Sequence, residues 1–238
     1  MPRYDYAYPT PLEDAVLVRR YKRFLADVER ADGSVLTVHC ANPGAMTGCN
    51  EPGQAVRIRD SGNPKRKLPW SLEQVRAGRS WVCVNTALPN LVAGAALARD
   101  AIPGLEGAER IESEVADGAG SRVDFRLWFD GQPCWVEVKS VTLRAGREAR
   151  FPDAVTERGR KHLEALRTVR REGARAVMLY LVGRGDGQQF RPAWEIDPAY
   201  AETLADVAAE GVEVVPVRVQ VQRGGLRAGL VLPYDLQP

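Results

Sequence analysis

Residues 121–140, SRVDFRLWFDGQPCWVEVKS, constrain this chain more than any other stretch. Val123, Phe125, Leu127 and Phe129 alternate with polar neighbours, and Cys134, Val136 and Val138 resume the alternation after Asp-Gly-Gln-Pro. A period of two belongs to half-buried strands, so the segment predicts an antiparallel hairpin with one core face. Centring the turn on Gly131 and Gln132 sets Asp124 opposite Lys139, Arg126 opposite Glu137 and Trp128 opposite Trp135. Asp124, Glu137 and Lys139 then share the face away from the core.

An Asp followed on the next strand by Glu-x-Lys is the arrangement of the PD-(D/E)xK nucleases. Two carboxylates, Asp124 and Glu137, suit a hard divalent cation such as Mg2+ or Mn2+, and the Lys139 ammonium suits the charge that builds on an attacked phosphate. A surface hairpin with cross-strand ion pairing produces the same spacing, so the chemistry depends on what the rest of the chain brings to this face.

Over 238 residues the formal charge is only +2. Local asymmetry says more: Arg and Lys crowd 19–23, 57–67 and 144–175, while acidic residues gather in 100–117 and 195–213. Basic patches of this kind favour nucleic-acid contact. Cys40, Cys49, Cys83 and Cys134 form no C-x-x-C pair and have two histidines for company, which argues against a zinc site; Cys83 and Cys134 read as small core residues. Neither a membrane-length apolar run nor a signal peptide is present, so the expected location is cytoplasmic.

The first part of the chain reads as short strands. AVLVRRYKRFLADVER (15–30) leads through Ala31-Asp32-Gly33-Ser34 into VLTVHC, the Gly- and Pro-dense loop 41–53 follows, and QAVRIRDS, KLPWSLEQVR and SWVCVNT complete the set. Five strands with Gly-rich connections suggest an OB-type barrel, though an SH3-like barrel or an open meander would leave similar traces. Arg20, Tyr21, Lys22 and Arg23, together with Lys65, Arg66 and Lys67, interleave cations with aromatics, the pattern a single-stranded nucleic-acid groove needs; a solvated strand face with its aromatics packed inward is the plainer reading.

Beyond residue 80 the pattern changes. Residues 90–102 have helical spacing with Leu91, Ala95 and Ala98 on one side, and a strand is expected over 109–116. If Asp117 to Ser121 form the next turn, Glu114 falls opposite Asp124 as a third carboxylate. A long helix from about Ala154 to Glu172 keeps Leu163, Leu166 and Val169 on one stripe and sets Arg158 and His162 on one face. ARAVMLYLV is the continuous apolar run of a central strand, and helix 198–210 with GVEVVPVRV completes an α/β layer around a mixed sheet.

Taken in order, RYKRFLADV, HCANPGAMTGC, NPKRKLPW, VNTALPN, SRVDF, WVEVKSVTL and FPDAVTERGRKHL resemble the sugar fermentation stimulation protein A family over nearly the whole chain. The resemblance implies an α+β protein with an N-terminal OB-fold nucleic-acid-binding domain (1–80) and a C-terminal PD-(D/E)xK nuclease-like α/β domain with a mixed central sheet (81–238). It implies DNA as partner, a link to regulation of sugar metabolism, and a triad of Asp124, Glu137 and Lys139, with Thr156, Arg158, Lys161 and His162 brought over the site. It also implies a glutamate in the first helix, where Gly94 stands instead; Glu114 could take its part. Two functions follow: a Mg2+- or Mn2+-dependent nuclease, or a DNA-binding regulator that keeps the scaffold without turnover.

Overall fold

The computed structural model describes residues 3–116 and 122–238. Strands β1 (Tyr6–Ala7), β2 (Glu13–Tyr21), β3 (Leu25–Arg30), β4 (Val35–His39), β5 (Ala55–Asp60), β6 (Trp70–Ala77) and β7 (Ser80–Cys83) precede the first helix, α1 (Pro89–Leu97). The mixed pattern of 15–30 resolves into β2 and β3, joined by Lys22, Arg23 and Phe24. Strands β2 to β6 run in the order β4-β3-β2-β5-β6, and a parallel pairing of β4 with β6 at His39 and Ser71 closes them. This closure and strand order are those of an OB barrel. Its core holds Leu17, Val28, Val38, Val56, Ile58, Leu72 and Val75. Strand β7 adds to β6, so a division after residue 80 falls inside an element of the barrel sheet.

The second unit carries β8 (Arg110–Ala116), β9 (Arg122–Phe129), β10 (Gln132–Val141), β11 (Leu143–Ala145) and β12 (Glu148–Phe151). Helix α2 (Glu157–Arg171), β13 (Arg175–Val182), β14 (Gln189–Pro192), α3 (Pro198–Ala209), β15 (Glu213–Gln222) and β16 (Gly225–Val231) follow. The central sheet, in the order β1-β16-β15-β13-β10-β9-β8, is mixed: β10, β13 and β15 are parallel, and β8, β9, β16 and β1 are antiparallel additions. Strand β13 is apolar from Ala176 to Val182 because both its faces are covered, by α1 on one side and by α2 and α3 on the other.

The N-terminal segment crosses over to the second unit, where β1 pairs with β16. Further ties join barrel and sheet: the Cys83 amide donates to the Gly183 carbonyl (2.8 Å), and the Gln74 side chain donates to the Gln222 carbonyl (2.9 Å).

Helix α1 buries Pro89, Val92, Ala93, Ala96 and Leu97, whereas Leu91 is 54% exposed. The expected stripe of Leu91, Ala95 and Ala98 is therefore corrected. Apart from Asn90 in its first turn this helix is apolar all round, so its sequence carries no polar stripe to orient it, and the sheet beneath selects the buried side. Helix α2 behaves as its pattern predicts: Leu163 and Leu166 are buried and Val169 packs beside them. All four cysteines are free and buried, and burial pushes the Cys83 and Cys134 thiols up to about 12. No helix among the described residues is long and apolar enough to cross a membrane.

Candidate active site

The hairpin of β9 and β10 sets the geometry. Its turn is Asp130-Gly131, with φ of 49° and 73°, not Gly131-Gln132. An Asp-Gly pair accepts two left-handed residues in succession, and the resulting twist matches that of the flanking strands. Trp128 therefore faces Pro133 and Trp135 faces Arg126, correcting the Trp128–Trp135 and Arg126–Glu137 pairings expected from the sequence. The register has moved by two residues. An even shift keeps every side chain on its face, so Asp124, Glu137 and Lys139 remain together, with Asp124 across from Glu137 instead of Lys139.

The ladder between β9 and β10 stops at Phe125–Val136. One residue on, the Asp124 carboxylate accepts the Val138 amide (2.7 Å) in place of a strand carbonyl. Its other oxygen accepts from the Asn90 side chain in the first turn of α1 (2.6 Å). Asp124 thus sits where the two strands part, held from both sides. On β10 the Glu137 carboxylate accepts from the Lys139 ammonium (2.6 Å) and is in contact with Nδ1 of His162. The Arg158 guanidinium donates to the other ring nitrogen of His162 (3.2 Å), one helical turn away.

Burial, and after it the Glu137 charge, raises the Asp124 carboxyl above its usual range, against the lowering effect of the Val138 amide and Asn90. Burial pushes Glu137 upward too, but its bonds to His162 and Lys139 outweigh that and hold it low. Two carboxylates that disfavour each other's charge are what a cation relieves, and Mg2+ is commonly held by one or two carboxylates plus substrate phosphate. The donor set of Asp124 and Glu137 fits such an ion. Among the described residues no group of three or more His, Cys, Asp and Glu side chains is gathered to hold a metal.

Beside this cluster opens a cleft of about 550 Å3 between the barrel and the sheet. Lys139, Val138 and Asn90 form one wall, Thr156 and Arg158 at the start of α2 another, and Arg23, Asn42 and Gly44 of the barrel a third. Arg150 also lines it, though its guanidinium is bonded to Glu148 and Glu195. Asp153, its one acidic lining residue, accepts the Met46 amide (3.0 Å) and helps fasten the loop 41–46 across the domain boundary. The cleft is thus predominantly basic.

Thr156 is the N-cap of α2, accepting the Gly159 amide, and Lys161 is exposed and outside the cleft lining. Glu114 lies between the pairs Ser113–Phe125 and Val115–Val123, across from Asp124 as expected, but its backbone is left-handed (φ 54°) and its side chain exposed. Among the described residues it is not a partner of the cluster, and the turn expected at Asp117–Ser121 lies outside them. A Cβ at Gly94 would stand 3.2 Å from the Phe125 ring, on the core side of β9, so α1 meets the sheet there through a residue without a side chain.

In the barrel, Arg20 donates to the carbonyls of Arg23, Asn42 and Gly44 (2.9, 2.7 and 2.9 Å), so it builds the cleft wall and is not free to meet a phosphate. The Tyr21 hydroxyl donates to Asp27 (3.1 Å), and Arg19 lies over its ring. Arg66 donates to Ser71, while Lys22, Lys65 and Lys67 are exposed. Asn90 and Arg150 escaped the sequence reading. For Asn90 the signal was present, a polar residue after Pro89 at a helix start, but only the fold sets it beside Asp124.

An OB barrel fused to a mixed sheet that carries D-x(12)-E-x-K at a basic cleft defines a two-domain protein of nuclease-like architecture. Residues 18–84 match the SfsA N-terminal OB domain and residues 87–225 match the sugar fermentation stimulation protein RE domain. A sugar fermentation stimulation protein homolog from Acidithiobacillus ferrooxidans is 51% identical over 213 residues, covering 89% of this chain and 92% of that one. Another from Magnetococcus marinus is 52% identical over 230 residues, covering 96% and 99%. The solved structure of Pyrococcus furiosus SfsA in complex with Ca2+ superimposes with a TM-score of 0.88 at 23% identity, over 98% of this chain and 100% of that one. The chain belongs to the sugar fermentation stimulation protein A family.

Proposed function

We propose that this protein is a nucleic-acid-binding, divalent-metal-dependent nuclease whose substrate strand lies in the cleft between barrel and sheet. The observation that carries the reading is Asp124, Glu137 and Lys139 on one strand face, with Lys139 reaching a cleft also lined by Arg23, Arg150 and Arg158 while Glu137 is buried behind it against His162. The Ca2+ complex of the Pyrococcus furiosus relative lends support, since Ca2+ is a hard, oxygen-seeking cation like Mg2+. Held by Asp124 and Glu137, Mg2+ or Mn2+ would neutralise charge on the phosphate and lower the pKa of bound water. Lys139, bonded to Glu137 and lining the cleft, is the cation that would stand beside a phosphate bound there. Arg158, through His162, keeps the histidine ring against Glu137, where it can hold a proton close to the reacting centre.

A second reading is favoured by the engagement of Glu137 with Lys139 and His162 and by Gly94 on α1: a DNA-binding regulator without turnover. The two separate in one experiment. Labelled single-stranded and duplex DNA are incubated with the protein in Mg2+, in Mn2+ and in chelator. The nuclease reading expects metal-dependent cleavage that Asp124→Ala and Lys139→Ala abolish with the circular dichroism spectrum unchanged. Equal cleavage by variants and wild type traces the activity to a contaminant, and salt-sensitive binding without metal-dependent cleavage supports the regulator.

A further inference from the structure

The connection between β2 and β3 is unusual for its composition. Lys22 and Arg23 are both left-handed, with φ of 48° and 63°, and no glycine relieves the turn. Short hairpin loops with left-handed positions are usually built from Gly, Asn or Asp, because a Cβ there crowds the backbone. Such a conformation persists only where the surroundings impose it, and they do: the Arg20 guanidinium bonds the Arg23 carbonyl and, with the same group, the carbonyls of Asn42 and Gly44. The turn is therefore clamped in an unfavourable geometry. What the clamp presents is the Arg23 side chain, exposed on the barrel wall of the cleft that Lys139 and Arg158 line from the other domain. Among the described residues no carboxylate or carbonyl engages its guanidinium, unlike Arg19, Arg20 and Arg30 nearby. Phe24, the next residue, is 46% exposed and stacks on His39 with centroids 6.5 Å apart, a flat face at the same end of the barrel.

We propose that Arg23 is a phosphate-gripping residue lent by the barrel to the cleft of the other domain, and that the occupant is a single nucleic-acid strand with a base against Phe24. The inference rests on the function proposed above and adds the form of its substrate. A cleft of about 550 Å3 is in the range of small-molecule sites, with room for a nucleotide or two of one strand. Cations flanked by an exposed ring are the means by which single strands are held without regard to sequence. A glycine would suit the backbone at residue 23 better, and the arginine is accounted for by what its side chain does.

The test joins stability to binding. Full-length wild type, Arg23→Gly and Arg23→Lys are titrated in chelator against a fluorescein-labelled oligothymidylate over a range of salt, and the thermal midpoint of each is measured. Arg23→Gly is expected to melt about 2–4 °C higher, because its turn is relaxed. It should also bind about fivefold more weakly at 0.1 M salt, with the slope of log affinity against log salt shallower by about 0.7, the loss of one phosphate contact. Arg23→Lys retains the slope without the gain in melting temperature, and Phe24→Ala weakens binding without changing the slope. A wild-type salt slope in Arg23→Gly, or a lower melting temperature, overturns the inference while the wider function stands. Failure of the wild type to bind the oligonucleotide at all removes both.

Discussion

Replacing Asp124 with asparagine should make this protein more stable and at the same time remove the metal-dependent cleavage proposed for it. The carboxylate is partly buried, faces Glu137 across the parted strands, and is held above the ordinary carboxylate range by burial and by that neighbouring charge. At neutral pH its ionised form therefore opposes folding. Unit charges on facing strand positions at an effective dielectric constant near 20 repel by a few kcal/mol, and the Lys139 ammonium offsets part of that. Replacing a charged acceptor with a neutral one at the Val138 amide returns roughly 1 kcal/mol of that. Shape is conserved: the new amide oxygen accepts from Val138, and Asn90 turns its own amide to accept from the new donor. The net expectation is a gain of about 1 kcal/mol at pH 7 for Asp124→Asn, or about 2–4 °C in melting temperature. The pH dependence has a definite sign. A carboxyl raised in the folded state favours folding when protonated, and that contribution is lost as pH rises through the folded pKa. The advantage of the variant should thus be largest above that raised pKa and vanish below the ordinary carboxylate value. Urea titrations of both proteins at several pH values, in chelator, measure it. Added Mg2+ should reverse the order by stabilising only the wild type. A variant less stable at pH 7, or a difference that ignores pH, would show that Asp124 is a structural acceptor and refute the reasoning.

Other substitutions probe the frame of the site. Arg20→Met should cost about 1–3 kcal/mol in denaturant melts, since it strips three carbonyls of a charged donor and frees the cleft wall. Leu91→Lys should change stability by less than about 0.5 kcal/mol, whereas Val92→Ala should cost about 1–2 kcal/mol; calorimetry giving the reverse order would return α1 to the face expected from its sequence. Gly44→Ala drives a Cβ to within 2.6 Å of the Asp153 carboxylate, and limited proteolysis should report a loosened 41–46 loop that Asp153→Ala does not worsen when the two are combined.

The two faces of the β9–β10 hairpin were legible because strand alternation depends on parity alone. Which residues stand across from each other was not, since register depends on which pair of residues turns, and Asp130-Gly131 took the turn. The barrel was legible as five short strands, but its closure through β4 and β6 joins residues far apart in the chain, and no local pattern encodes that. The same limit explains Arg20. Its charge reads as an offer to phosphate until the fold sets three carbonyls around it.

By itself the chain determined the central apolar strand β13, the amphipathic stripe of α2 and the common face of Asp124, Glu137 and Lys139, all consequences of short-range periodicity; the two kinds of domain came from the family resemblance, since strand patterning alone left the type of barrel open. Only the tertiary structure decided which side of the largely apolar α1 is buried, that Asn90 reaches Asp124, that His162 meets Glu137, and that Arg23 enters a cleft whose other wall belongs to the second domain. Those are meetings of side chains from separate elements. They follow from how layers and domains pack, and a linear pattern carries the type of each partner but not the direction from which it arrives.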